Sequence, residues 1–517
     1  MIWRLALALA LVASSGSVSL VGVYPNPATD GDEGEFVVLE IKENAALDEY
    51  SLSDGENTID LPDRSVDGAV AVTDDPRVAS RLTDHETVVV DDGLALSNGG
   101  ETVTLLREGE PVSTLTYDRA PTAEVWDGES WTPLGSTDLP VVSSTNVPVT
   151  AFALPDTPTV PLDRIEAADR RILLAGYTMS SSAVADALLA AHRRGVDVAV
   201  LVDESPVGGT SAAQIRTLDR LSARGIEVTA SGGPRGRYRY HHAKYAVVDD
   251  TVLVTSENWK PAGVGGKASR GWGVVLEERQ LADHLATVFA EDSEWVDGRH
   301  WDSLSPDGQP DAVADGRYPT RFAPVESTAA SAQVLVAPDN AESAMLDRID
   351  DADESIRIQQ VSIDEDGPLL NAAVDAARRG VSVRILLGGA WYVDEDNTAL
   401  AENLSRQADT EDLPLTVRLV EPRSRYDHLH VKGMVVDEHH AAVGSLNWNP
   451  TALRENREVA VVVSDPAVGR YYTRLFRADW RGAAWRIHWS MLAGLATAVI
   501  GAVGFAKTFD FDPATGD

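Results

Sequence analysis

The feature that most constrains this chain is an internal duplication between about residues 149 and 480. Leu162-Asp163-Arg164-Ile165 recurs as Leu346-Asp347-Arg348-Ile349, and Arg193-Arg194-Gly195-Val196 recurs as Arg378-Arg379-Gly380-Val381. Each copy reads as helix, strand, amphipathic helix, Gly stop and a further strand, over 196–202 in the first and 381–387 in the second. Helices alternating with β-rich runs imply mixed sheets covered by helices. Two such copies predict two similar α/β lobes facing each other.

Late in each copy stands the same short pattern. The first reads His242-Ala243-Lys244 with Asp249 five residues on, then Ser256-Glu257-Asn258-Trp259-Lys260-Pro261; the second reads His430-Val431-Lys432 with Asp437, then Ser445-Leu446-Asn447-Trp448-Asn449-Pro450. In a strand, residues i and i+2 share a face, so each His projects with its Lys while Ala243 and Val431 turn into the apolar layer. A turn after each Asp leads to a second strand whose end delivers Ser and Asn. Cleaving a phosphodiester needs a nucleophile, a proton donor for the leaving oxygen, and cations or donors around the anionic oxygens. Two His, two Lys and two Asn supply that set without a metal or cofactor. One imidazole attacks phosphorus; the other protonates the leaving alcohol and later deprotonates the incoming water or alcohol. Lys244, Lys432, Asn258 and Asn447 hold the non-bridging oxygens, with Ser256 and Ser445 as further substrate contacts. Upstream of each His, Pro234-Arg235-Gly236-Arg237-Tyr238 matches Pro422-Arg423-Ser424-Arg425-Tyr426. Arg237 and Arg425 are therefore expected at the cleft entrance, gripping phosphate. His241, His428, His439 and His440 read as turn or surface histidines.

Composition sharpens the pattern. There are 81 acidic and 44 basic residues, a net charge of −37, and only six of the basic residues are Lys, yet each copy places one two residues after its His. An acidic, Lys-poor surface reads as halophilic adaptation, where charges are screened over roughly 3 Å at 1 M salt. Net charge then says little about partners. The absence of Cys excludes disulfides and thiolate chemistry.

The doubled motif resembles the phospholipase D superfamily. The resemblance covers about 330 residues. It implies one active site between the two lobes of a single chain, no metal and a covalent phosphohistidine. It further implies His242 as nucleophile, His430 as general acid, and Asp249 and Asp437 as supports rather than substrate contacts. The family often has a Glu shortly after the Asn that holds a catalytic His. Glu458 fits in the second copy, whereas Arg270-Gly271-Trp272-Gly273 in the first has none.

The remaining segments complete a multidomain plan. Met1 to Ser17 has the shape of a signal peptide, one Arg followed by a short apolar run. Residues 18–120 look all-β, with short strands punctuated by Gly, Asp, Asn and Pro as in an immunoglobulin-like sandwich. Tyr24-Pro25-Asn26-Pro27, the Glu35 to Ile41 strand and Leu94-Ala95-Leu96-Ser97-Asn98-Gly99-Gly100 resemble lamin-tail domains. A Pro, Thr and Ser-rich linker is expected over 121–148, lobe 1 over 149–300, a second linker over 301–328 and lobe 2 over 329–482. Trp489 to Ala506 is apolar and uncharged, the length of a membrane span. A transmembrane helix is therefore expected over 487–507, with a tail over 508–517. The expectation is an exported monomer anchored by that helix, catalytic region outside. Arg481 and Arg486 before the span favour the opposite orientation, but long domains follow the signal.

Phospholipid, as for a phospholipase D or a cardiolipin-synthase-like phosphatidyltransferase, is the substrate that the span favours. A cell-surface nuclease of the same fold, acting on DNA or RNA, is the alternative. A non-catalytic binding protein is opposed by both intact His-Lys pairs.

Overall fold

The computed structural model describes residues 18–27, 34–83, 85–90, 95–232, 236–295, 297–420 and 425–482. The expected signal peptide, membrane span and tail lie outside these residues, as do Pro234, Arg235 and Pro422 to Ser424. Among the described residues no helix is long and apolar enough to cross a membrane.

The N-terminal domain is two packed sheets. One runs in the order Trp131–Pro133, Glu124–Trp126, Val18–Tyr24, Phe36–Ala46, Ser65–Thr73, Glu86–Val89; the other runs Thr58–Asp60, Tyr50–Ser53, Glu101–Arg107, Glu110–Tyr117. Alternate residues Val37, Leu39 and Ile41 face inward and share a core with Leu52, Val103 and Leu105 of the opposite sheet. The expected sandwich is present but is not purely β. The helix Pro76–Leu82, its first turn capped by Asp75, crosses over to a strand running parallel to Ser65–Thr73.

The expected linker over 121–148 is not one. Its start adds two strands to the N-terminal sheet, and its end opens a 13-residue strand, Val142–Leu154, at the centre of the two-lobed region. Between them Thr137 Oγ1 donates to Asp339 Oδ1 at 3.0 Å, which pins the connection to lobe 2.

Both lobes share one 16-stranded sheet whose halves mirror each other about the antiparallel pair Val142–Leu154 and Val325–Ala337. In lobe 1, Arg171–Gly176, Asp197–Asp203 and Glu227–Ser231 run parallel, and Lys244–Val248 returns antiparallel with Lys244 opposite Gly176. In lobe 2, Ser355–Gln360, Ser382–Leu387 and Leu415–Leu419 run parallel, and Lys432–Val436 returns with Lys432 opposite Gln360. The predicted strands 196–202 and 381–387 thus fall within a residue of those observed. Short parallel bridges stitch the lobes reciprocally, His241 to Arg457 and Leu429 to Arg270.

Candidate active site

Each catalytic strand starts at its Lys, so His242 and His430 sit just ahead of a strand rather than inside one. The chain stays extended through them: Ala243 and Val431 are fully buried in one shared core cluster, as the alternation requires. Each His is then fixed by the other lobe. The His242 backbone N–H donates to the Arg457 carbonyl, and that of His430 to the Arg270 carbonyl, both at 2.9 Å.

The side chains repeat this exchange. His242 Nδ1 donates to Glu458 Oε1 of lobe 2 at 2.7 Å. His430 Nδ1 donates to the Ser256 carbonyl of lobe 1 at 2.9 Å and lies 3.4 Å from Glu257 Oε2. A carbonyl or carboxylate can only accept, so both Nδ1 atoms carry the hydrogen, and each Nε2 keeps its lone pair for the cleft. The imidazoles remain 12% and 20% exposed while their carboxylates are 0% and 2% exposed. Lys244 and Lys432 are buried, and their ammonium groups donate back to the carbonyls of His242 at 2.6 Å and His430 at 3.1 Å.

Glu257 is not among the residues that the sequence points to, and its position explains the missing Glu of the first copy. The Ser445 and Val459 backbones pair as do those of Ser256 and Trp272, which sets Glu458 equivalent to Gly271. A Cβ on Gly271 would lie 2.2 Å from Glu257 Cγ. The Glu257 side chain fills the space that a Glu at 271 would occupy. The carboxylate is kept but arrives from the neighbouring turn.

Asp249 and Asp437 lie at the far ends of the five-residue strands, roughly 16 Å from the Lys at about 3.3 Å per residue. Asp249 accepts from the backbones of Asp169, Arg170 and Arg171; Asp437 does so from Asp353, Glu354 and Ser355. Burial alone would raise these carboxyls, but the three amides hold both below the ordinary value. They brace the hairpins, as the resemblance implies. Asn258 and Asn447 follow on turns anchored by the buried Trp259 and Trp448. Trp259 Nε1 donates to the Ala175 carbonyl at 2.9 Å, and the Asn258 Oδ1 is buried with no partner among the described residues.

Three expectations are corrected. Ser256 and Ser445 are fully buried, and their hydroxyls bond the backbones of Trp272 and Val459, so they lock strands instead of meeting substrate. Arg425 donates to Asp479 Oδ1 at 2.9 Å, and Arg237 stacks on Trp295 and donates to the Ser136 carbonyl. Arg425 is buried within lobe 2 and Arg237 is half-buried between lobe 1 and the connection, neither at an open cleft mouth. His241 is fully buried against Asp292 at 3.1 Å rather than on the surface.

The family model described as cardiolipin synthase, phospholipase D-like domain matches residues 162–293 and 345–480, just over half of the chain. The chain belongs to the phospholipase D superfamily. Among solved structures, this phospholipase D-like chain is similar to a phosphatidylserine synthase of Haemophilus influenzae, with 14% identity, 67% of this chain and 88% of that one covered and a TM-score of 0.49. It is also similar to the phospholipase D family member Nuc of Salmonella typhimurium, with 25% identity, coverage of 31% and 99% and a TM-score of 0.26. NucT of Helicobacter pylori gives 20%, coverage of 30% and 97% and a TM-score of 0.25. No curated protein matches the chain.

Burial sets the electrostatics of this phospholipase D-like site. It pulls His242 down to about 4 and His430 to about 3, with the nearby lysines adding to the effect and the carboxylates opposing it. Burial also lowers Lys432 to about 8. Burial pushes Glu458 and Glu257 up, but the facing His and Lys groups outweigh it and hold both below the ordinary value. Burial lowers Lys244 as well, and both imidazoles are held neutral at pH 7. A phosphodiester anion entering this balance raises the proton affinity of the imidazoles around it and draws in the proton that an acid needs. The expected NMR result is neutral imidazoles for His242 and His430 from pH 7 down to 5, with inorganic phosphate raising at least one of the two midpoints by more than about one unit. An ordinary midpoint near 6.5 in the free protein would contradict this balance. Unfolded histidines bind protons below about 6.5 and these do not, so both oppose folding as pH falls from 6.5 toward 4.

The two carboxylates should not be equal. Glu458 is the sole described Nδ1 partner of His242, whereas His430 keeps the Ser256 carbonyl if Glu257 is lost. Glu458→Gln is expected to lower kcat by about 10²- to 10⁴-fold, Glu257→Gln by about tenfold. Moving the carboxylate, as Glu257→Leu with Gly271→Glu, should recover most of the Glu257→Gln loss in steady-state assays. Recovery no better than that of Glu257→Leu alone would reject the equivalence.

Proposed function

We propose that the protein cleaves or exchanges phospholipid phosphodiesters through a phosphohistidine. The observation that carries this is the reciprocal hold of two imidazoles by carboxylates of opposite lobes, with a buried Lys beside each. His242 is the nucleophile. Its Nδ1–H faces a carboxylate at 2.7 Å, which stabilises the cation formed when Nε2 bonds to phosphorus. His430 leans chiefly on a neutral carbonyl, so its conjugate acid is less stabilised and gives up a proton more readily. In the first step the His242 Nε2–P bond forms, the P–O bond to the leaving alcohol breaks, and His430 Nε2 protonates that oxygen. In the second, water or an alcohol attacks phosphorus, its proton passes to His430, and the N–P bond breaks. Lys244, Lys432, Asn258 and Asn447 hold the non-bridging oxygens.

Phospholipid is favoured by the family's cardiolipin synthase description and by the apolar run 489–506. On this reading the protein is exported and anchored by that run with its catalytic region outside, and the N-terminal sandwich is a lamin-tail-like binding or spacer module. The test incubates purified full chain at high salt with labelled phospholipid vesicles and with DNA, with and without EDTA. Lipid turnover that survives EDTA is expected. Cleavage of DNA alone would overturn the lipid reading, and activity that dies with EDTA but survives His242→Ala would overturn the mechanism.

A further inference from the structure

Among the described residues Trp391 is the most exposed large apolar side chain, at 90%, and its neighbour Tyr392 is 51% exposed. Their rings meet edge to face with centroids 5.8 Å apart. They sit on the loop after Ser382–Leu387, whose root is fastened by Gly388 N–H donating to the Gln360 and Val361 carbonyls. Gln360 is paired with Lys432, so this loop rises at the catalytic end of the sheet. The Tyr392 phenol is pushed up by burial and, second, by Glu257, the carboxylate beside His430. The loop therefore forms the His430 lip of the cleft. On the His242 side, Val207 is 74% exposed, and its N–H donates to the Tyr177 hydroxyl; the Tyr177 ring lies 4.7 Å from that of His242.

The C-terminal helix Pro466–Gly482 leads to the same end. It starts beyond Ser464, the residue of its strand farthest from Glu458, and runs back. Near its end Asp479 accepts from Gln359, and Trp480 lies under Arg418 at 4.5 Å, each partner next to last in its strand. The apolar run that begins at Trp489 thus follows nine residues after Trp480, which packs near the catalytic end of the sheet. A bilayer holding that run would be tethered to the chain end nearest these exposed side chains. Trp and Tyr are the side chains suited to a lipid–water boundary.

We propose that Trp391 and Tyr392 form a docking tip that seats the cleft mouth on a phospholipid surface. This rests on the phospholipid reading of the site. The test uses full chain reconstituted in phosphatidylcholine vesicles with and without brominated acyl chains. The fluorescence difference between wild type and Trp391→Phe isolates the one ring; bromine should quench it, and an unquenched difference would overturn docking. Independently, the ratio of turnover on bilayer phosphatidylglycerol to turnover on a soluble short-chain analogue should fall about tenfold in the Trp391→Ser, Tyr392→Ser variant. An unchanged ratio overturns the proposal, as does a variant that loses single-stranded DNA cleavage instead. Wild type that turns over neither lipid refutes the phospholipid reading, while bromine quenching still decides docking.

Discussion

His242→Ala is expected to lower phosphodiester turnover by more than about 10⁴-fold whatever the leaving group, because it removes the atom that bonds to phosphorus. His430→Ala should behave differently. A proton donor contributes about 10²- to 10⁴-fold when the leaving alkoxide needs it, and almost nothing to the departure of p-nitrophenolate, which leaves without a proton. With a p-nitrophenyl phosphodiester, His430→Ala should therefore release one p-nitrophenolate per chain in a burst and then stall, since no base activates the incoming water. The stalled protein should carry phosphorus on His242, recoverable under alkaline conditions. His242→Ala should show neither burst nor label. Label on His430 in a His242→Ala background would reverse the two roles, and its absence from both variants would end covalent catalysis here. The assignment follows the family resemblance and is supported by the unequal Nδ1 partners, a carboxylate at 2.7 Å against a carbonyl at 2.9 Å.

What the sequence discloses depends on whether a residue's role follows from spacing or from packing. The doubled His-x-Lys pattern and the flanking repeats are enough to read two α/β lobes and which side chains share a strand face, because strand periodicity is a local rule. Glu257 lies beyond that rule. Aligned copies put Leu446 opposite it, and only the pairing of two strands shows that its side chain stands in for one at Gly271. The available signal was an ionisable residue following the apolar run Val252 to Val254. The misread linker has a similar cause. Pro140 and Pro148 argue against a central strand, yet Val142–Leu154 is one. Pro148 is tolerated because its partner there is Thr328, and pairing to the other neighbour begins only at Val149. Arg237 and Arg425 look like exposed ligands in the sequence because in an Arg-rich chain nothing local distinguishes a solvated guanidinium from a packed one.

Arg457→Met is expected to be the most destabilising single change in the catalytic region. Arg457 is fully buried and its guanidinium donates to Asp292 Oδ1 at 2.9 Å, Asp339 Oδ2 at 2.6 Å, the Ala337 carbonyl at 3.1 Å and Thr137 Oγ1 at 3.0 Å, with the Tyr238 hydroxyl also in contact. Asp292 belongs to lobe 1, Asp339 to lobe 2 and Thr137 to the connection from the N-terminal domain, so one side chain joins three parts of the chain. Removing it leaves two carboxylates without their cation, a loss of about 3–5 kcal/mol. The urea midpoint of the catalytic region should fall accordingly. Arg457→Met with Asp292→Asn and Asp339→Asn together should be less destabilised than Arg457→Met alone, since no uncompensated charge then remains buried. Arg270 holds the mirrored place, with Asp156 of its own lobe and Asp479 of the other, and Arg270→Met should repeat the pattern. The two arginines also precede Glu458 and Gly271 and accept the backbone N–H of His242 and His430. A triple variant that recovers stability but not turnover would therefore separate the seam's electrostatic role from its placement of the imidazoles. Equal destabilisation of the single and triple variants would show that packing around the guanidinium, and not its charge, holds the lobes together.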